Sequence, residues 1–309
     1  MTDREKRVFF VISLVFVILA FLPLVDTGVW LSFGVELAMY TVLATSWALF
    51  SGPTHYISLA TAALFGLGMY VIGSGIELLP FPVLVFLAAI VGAALSAIIG
   101  LATLRISGVY FVIFTLGLAE LIRQIVTWVQ TTMGTSSGLY VLTNVTERMI
   151  YWQLLVLAAL VYLIGWLIGR SRLGFALRII GNDEVVAVHA GIDTARAKVV
   201  LFIISGTIAA VVGAMMAPRF QYVEPLAAFN PMISFLVVIM ALLGGAHRLW
   251  GPLVGVIPFY LLWDLTSKHF PNQSALALGS AFLLIVYLIP NGVVGLIDSL
   301  IDRYRDRAR

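Results

Sequence analysis

The run Phe81-Pro82-Val83-Leu84-Val85-Phe86-Leu87-Ala88-Ala89-Ile90-Val91-Gly92-Ala93-Ala94-Leu95-Ser96-Ala97-Ile98-Ile99-Gly100-Leu101-Ala102-Thr103-Leu104 carries no charged side chain. An apolar helix needs about 20 residues to cross the hydrocarbon core of a bilayer, and this run exceeds that length. Working outward, comparable runs occur at about 8–25, 29–50, 56–75, 107–129, 150–169, 198–217, 231–246, 250–267 and 275–297. Turn formers separate them: Ser51-Gly52-Pro53, Leu79-Pro80-Phe81-Pro82, the 134–138 segment and Pro271-Asn272. The expectation is an all-α polytopic membrane protein of about ten transmembrane helices.

Composition agrees. The 309 residues are 61% hydrophobic and 11% charged, with a mean hydropathy of +1.07. A soluble domain has about 45–50% apolar and about 25% charged residues. There is too little charge here to cover a water-facing surface, which excludes a cytosolic enzyme, a disordered chain and a coiled coil. The absence of cysteine removes disulfide frameworks, thiol nucleophiles and thiolate metal sites.

Orientation follows from the basic residues. With Arg4, Lys6 and Arg7 in the cytoplasm, ten crossings place 14 of the 18 Lys and Arg residues on that side. These include Arg105, Arg170, Arg172, Arg178, Arg196, Lys198, Arg248 and the arginines of the last seven positions. Arg148, Arg219 and Lys268 fall outside, and Arg123 lies within a span. Both termini are therefore expected inside, in an N-in/C-in arrangement. The net charge of +3 then reflects topology rather than nucleic-acid binding. The first run reads as a retained anchor, because no small-x-small cleavage site follows it. The whole chain, 1–309, reads as one transmembrane domain with a cytoplasmic loop at about 170–197.

That loop contains Ile180-Gly181-Asn182-Asp183-Glu184-Val185-Val186-Ala187-Val188-His189-Ala190-Gly191-Ile192-Asp193. Asn182 is placed to cap a short helix, and Asp183 and Glu184 suit its first turn. Gly191 suits the left-handed position that ends it. Eight residues make a rod of roughly 12 Å, too short to be stable alone in water. It either lies back on the protein's own face or inserts its valines into a cytosolic partner.

Ionisable and polar groups inside spans carry the other candidate sites. Glu120 and Arg123, three apart on one helix, are placed to pair with each other; they either neutralise one another or face a path or gate. Asp264 and Lys268, four apart, read as an interfacial pair. Glu36 has no partner nearby in sequence, and Arg123 is the expected one across helices. Ser58 and Thr61 in span three, and Thr115 and Gly117 in span five, lie beside small residues. Interrupted helices at such positions expose backbone groups to a substrate. A path with few fixed charges suits an apolar or zwitterionic solute, and also urea or a short amide. Gly165/Gly169 and Gly251/Gly255 are spaced for close helix packing. Ala48-Leu49-Phe50-Ser51-Gly52 is weakly echoed by Ala241-Leu242-Leu243-Gly244-Gly245. No phosphate-cradling G-x-x-x-x-G-K-[ST] motif occurs, so ATP hydrolysis in this chain is excluded by that route. His55, His189, His247 and His269 show no metal-ligand spacing.

Several stretches resemble one family in the order that family has them. Leu177-Arg178-x-x-x-Asn182-Asp183-Glu184-x-x-Ala187-x-x-Ala190-Gly191-Ile192 is similar to the cytoplasmic coupling motif of permease subunits of branched-chain amino-acid ABC importers, the LivH/LivM type. Residues 107–123, beginning Ser107-Gly108-Val109-Tyr110-Phe111, resemble its G-x-Y-F-x-I-x-T-L-G-x-x-E-x-x-R segment. Gly134-Thr135-Ser136-Ser137-Gly138 resembles its Gly-rich loop, and Leu243-Gly244-Gly245-Ala246-His247-Arg248-Leu249-Trp250-Gly251-Pro252 its G-G-x-G-x-x-x-G-P turn. Two departures bear on substrate: Ala60-Thr61 stands where relatives usually carry Gly-His, and His247 replaces a frequent glycine.

The resemblance implies an ABC importer permease fold in a bacterial inner membrane, of the LivM-like rather than the LivH-like subunit. It implies a LivH-like second permease, two cytosolic ATPases that bind ATP and Mg, and an outer substrate-binding protein as partners. No cofactor is expected on this chain itself, which is not an enzyme. ATPase coupling would fall to Asn182, Asp183, Glu184, Val185, Val186, His189, Ala190 and Gly191. The path or gate would fall to Ser58, Thr61, Thr115, Gly117, Glu120 and Arg123. A stand-alone secondary transporter or channel is the rival class.

Overall fold

The computed structural model describes residues 28–103, 108–133, 138–288 and 292–295, together with Pro23. The first expected span, Arg105, the 134–137 turn and the C-terminal arginines lie outside the described residues.

The described chain is a helical bundle: α1 (Val29–Thr54), α2 (Thr61–Gly75), α3 (Phe81–Thr103), α4 (Val109–Met133), α5 (Glu147–Arg170), α6 (Arg172–Asn182), α7 (Glu184–His189), α8 (Thr194–Phe220), α9 (Pro225–Ala228), α10 (Pro231–Gly244), α11 (Gly251–His269) and α12 (Ser274–Leu288). Six segments are long and apolar enough to cross a membrane by length and composition. They are Val29–Thr54, Phe81–Ala102, Val109–Thr132, Glu147–Arg170, Thr194–Phe220 and Pro225–Gly244. Between them run β1 (Leu139–Tyr140) and β2 (Tyr222–Val223), an antiparallel pair in the register Leu139 to Val223 and Tyr140 to Tyr222. This short ladder adds a β contact to the all-α expectation.

Span three is shorter than the sequence suggests. The run 56–75 carries no charged side chain, yet the helix starts at Thr61. Its 15 residues measure about 22 Å, short of a core of about 30 Å. The preceding residues are not helical because His55 turns left-handed at φ 59° after Pro53 has removed a donor from the last turn of α1. Span five, by contrast, is an unbroken helix through Thr115 and Gly117.

The bundle centre is α8, packed most extensively on α3 and α2. Small residues allow the backbones to touch. A Cβ on Gly68 would lie 1.9 Å from Ala210 O, and one on Gly213 1.9 Å from Phe65 O. In lipid, where apolar surface gains nothing by leaving apolar solvent, such close approach supplies the packing energy. The pair α10 and α11 is joined in the same manner: a Cβ on Gly255 would meet Met240 O at 2.1 Å. A Cβ on Gly165 would meet the Leu249 side chain, whereas one on Gly169 would meet nothing within 4 Å among the described residues.

Alternating helix directions sort the described basic residues. Arg170, Arg172, Arg178, Arg196, Lys198 and Arg248 lie at the end of the bundle that carries α6 and α7. Arg148, Arg219 and Lys268 lie at the other. Gly52, which closes the segment 48–52, packs on the turn that follows 241–245, where its Cβ would lie 2.3 Å from Ala246 O.

Candidate functional site

Three groups of residues concern function: the outward helix α7, the break before α2, and the exposed stripe of α4.

Helix α7 is six residues long rather than eight, and its cap is Asp183 rather than Asn182. Asp183 Oδ1 accepts from the N–H of Val185 at 2.8 Å and of Val186 at 3.3 Å. Asn182 instead ends α6, which Ser171 caps by accepting from Gly174 N–H at 3.3 Å. The capping role moves by one residue because α6 runs on to Asn182, leaving Asp183 extended at φ −159°, ψ 116°. Gly191 takes the expected left-handed conformation, φ 78°. Ala187 is buried against the body of the protein, while Val185, Val186 and Val188 are 63%, 55% and 55% exposed. His189 Nδ1 is 2.7 Å from Val185 O, within the helix's own last turn. Glu184, its side chain 43% exposed, binds the ammonium of Lys198 on α8, a lysine only 2% exposed. The same ammonium sits 4.2 Å from the centroid of the Tyr56 ring. Nothing in the spacing of Glu184, Lys198 and Tyr56 announces this contact; the signal available was a lysine flush with the start of an apolar run.

The break before α2 is held by side chains from three other helices. Trp47 Nε1–H of α1 donates to Ser58 O at 2.8 Å. Leu59 N–H donates to Thr115 Oγ1 of α4 at 3.0 Å, and Thr115 donates in turn to Val112 O. Ser234 Oγ of α10 donates to Leu59 O and accepts from Ala62 N–H, both at 2.8 Å. Ser58 Oγ accepts from Ala60 N–H at 3.3 Å. Buried non-helical backbone requires such partners, since its own ladder supplies none. Ser58, Thr61 and Thr115 are thus buried, and the hydroxyls of Ser58 and Thr115 bond the chain's own backbone. Ser234 and Trp47, which hold the same segment, were not legible in the sequence. Their partners lie 175 and 11 positions away.

On α4, Arg123 and Glu120 form the expected pair: Arg123 Nε–H donates to Glu120 Oε2 at 2.8 Å, with a second contact from Nη2 to Oε1. Gln124 Nε2 donates to Glu120 Oε1 at 2.8 Å. The pair is not enclosed, since the Glu120 side chain is 46% exposed. Gly117, Glu120, Gln124, Thr127 and Thr131 recur at three- and four-residue intervals, which places them on one helical stripe. Among the described residues, nothing lies within 4 Å of a Cβ placed on Gly117. A span presenting such a stripe to hydrocarbon is costly.

Glu36 does not pair with Arg123. Its partner is Arg219 at the end of α8, Nη1 to Oε1 3.0 Å, and Arg219 Nε is 3.3 Å from Glu147 Oε1. Ser32 Oγ donates to Glu147 Oε1 at 2.8 Å. Arg123 lies with Glu120 on its own helix, whereas α1 and α8 pack together and bring Glu36 and Arg219 to one end. Asp264 and Lys268 pair on α11 at 2.7 Å. At the α7 end, the His55 and His247 rings stand 5.3 Å apart beside a cavity of about 400 Å³ that Arg178 and Gly181 also line. Among the described residues, no three His, Cys, Asp or Glu side chains converge as a metal site.

Comparison with known proteins assigns the bundle to a family. The model of the branched-chain amino acid transport system / permease component matches residues 29–289. The chain is 25% identical over 240 residues to the high-affinity branched-chain amino acid transport system permease protein LivM of Salmonella typhimurium, covering 67% of this chain and 56% of that protein. It is 28% identical over 151 residues to the LivH permease protein of Escherichia coli, covering 48% of each. It is 26% identical over 151 residues to the L-arabinose transport system permease protein AraH of Escherichia coli, covering 49% of this chain and 44% of that protein. The chain spans about half the length of these curated relatives. No solved structure matches. With a family match across all the helices described above, the chain belongs to the permease components of the branched-chain amino acid transport systems and is a multi-pass membrane protein.

Proposed function

We propose that the chain is a membrane subunit of an ATP-driven importer of branched-chain or other hydrophobic amino acids, in a bacterial inner membrane. The observation that carries this reading is α7: a capped and anchored helix whose three valines point away from the protein. Exposed valines on a helix of six residues gain by burial in a groove, and a cytosolic ATPase supplies one. The α7 end then faces the cytoplasm, which agrees with its basic residues, and both termini lie on that side of a ten-span chain. The ATPases, two of them, bind ATP and Mg. The stripe of α4 faces a LivH-like companion permease or the path between the two, which relieves Glu120, Arg123 and Gln124 of contact with lipid. An outer binding protein delivers substrate, and closure of the ATPases drives alternating access.

The relatives' names support amino acids first, and the arabinose permease makes a sugar the second substrate to examine. Urea, short amides and aromatic acids also suit a path with few fixed charges. The test is uptake of labelled leucine and arabinose into proteoliposomes holding both permeases and the ATPases, with the substrate-binding protein supplied on the outer side. Uptake is expected to require ATP and the ATPase subunits. Uptake driven by a proton gradient through this chain alone would establish a secondary transporter instead.

A further inference from the structure

We propose that Lys198 and Tyr56 form a relay that carries displacement of α7 to the helix break at residues 55–60. The proposal rests on the reading of α7 as the ATPase docking helix and adds the route by which docking reaches the bundle.

Lys198 lies in the first turns of α8 and is almost fully buried. Its ammonium contacts both the Glu184 carboxylate and the face of the Tyr56 ring. A buried ammonium cannot part from its carboxylate at little cost, because desolvation leaves it uncompensated. When Glu184 moves with α7, the lysine therefore follows. The ring moves with the ammonium, since the cation is attracted to the face of the aromatic system. Tyr56 belongs to the break itself, where no i to i−4 ladder resists a shift. Its ring meets Phe111 of α4 edge-on, with centroids 5.3 Å apart and planes at 80°. Three residues further on, the same backbone segment is bonded to Thr115 of α4 and Ser234 of α10. A displacement entering at Glu184 thus reaches the start of α2, α4 and α10 through two side chains.

The chain has no cysteine, so a single introduced cysteine is the one maleimide site in this chain, read on its own band after the subunits are separated. The experiment uses the assembled complex with companion permease and ATPases. One label site is Ile57→Cys, beside Tyr56, and the other is Ala190→Cys, at the end of α7; both positions are exposed. Labelling by N-ethylmaleimide is timed with and without Mg-ATP and orthovanadate. ATP and vanadate are expected to change the rate at the Ile57→Cys site by about threefold or more, a shift of about 0.7 kcal/mol. Lys198→Gln and Tyr56→Leu are expected to abolish that change, whereas Tyr56→Phe, which keeps the ring, retains it. Binding of the ATPases is expected to protect the Ala190→Cys site in every variant. Protection at that site with an unchanged nucleotide response in Lys198→Gln and Tyr56→Leu would overturn the relay and leave docking intact. An Ile57→Cys site that never responds to nucleotide would overturn the relay equally. An Ala190→Cys site that the ATPases leave unprotected, with α7 otherwise unaltered, would overturn docking, and the relay with it. If Lys198→Gln fails to fold, the Tyr56→Leu and Tyr56→Phe pair decides alone.

Discussion

At the scale of single residues, what could be foreseen depends on distance along the chain. Glu120 and Arg123 lie three apart on one helix, so their pairing follows from helical geometry alone. Glu36 and Arg219 are separated by most of the bundle and meet only because α1 and α8 pack together. The Glu36, Arg219 and Glu147 side chains are about a quarter to a third exposed, so their coupling falls between that of surface pairs and that of buried ones. Arg219→Gln is expected to lower stability by about 2 kcal/mol, seen as a reduced Tm in detergent. The double change with Glu36→Gln should recover part of that loss, and strictly additive losses would show that the two residues are not coupled. Asp183 gives a second test. Its removal as Asp183→Ala costs about 1 kcal/mol of cap energy. Amide exchange at Val185 and Val186 should accelerate about fivefold, while Asn182→Ala leaves those rates alone. The reverse outcome would restore Asn182 as the cap.

At the scale of elements, apolar length and glycine spacing were legible, whereas the sequence points to interruption equally in spans three and five and it occurs only in the first of the two. The run 56–75 has the composition of a span, yet it is a 15-residue helix behind an extended segment. That segment is stable only because Trp47, Thr115 and Ser234 bond its backbone, and those three residues lie on three different helices. Glycine spacing pointed correctly to contact at Gly251 and Gly255. It did not separate the tight Gly165 from the open Gly169, since that depends on the neighbouring helix. Gly213→Ala and Gly68→Ala each push a methyl into a carbonyl oxygen of the facing helix and should cost about 1–3 kcal/mol. Thermal unfolding of purified protein checks this, with Gly169→Ala as the comparison expected to show no loss. Equal Tm values for all three would mean that α2 and α8 separate easily.

At the scale of the whole molecule, the surfaces left uncovered bear on assembly. Each of the three outward valines of α7 contributes about 1.5 kcal/mol when fully buried, so Val186→Asp should weaken ATPase association by about tenfold or more. Co-purification with the ATPases measures this, and undiminished association would place the docking surface elsewhere. If the stripe of α4 meets a companion permease as proposed, Gly117→Trp should leave this chain's insertion and fold unchanged yet prevent that pairing. Normal pairing in a pull-down would turn that stripe away from the partner. The sequence by itself determined that the chain lives in a membrane and how the described basic residues divide between the two ends of the bundle. Both follow from the cost of placing charge in hydrocarbon, which acts on each segment separately. It also determined that a short helix ending at a left-handed Gly191 lies in this loop, because such a stop is local, whereas its cap and its length of six residues, Glu184–His189, came from the structure. Only the tertiary structure decided which face of that helix is outward, where span three breaks, and that Lys198 joins Glu184 to Tyr56. Those outcomes depend on contacts between helices far apart in the chain, which no local pattern of residues encodes.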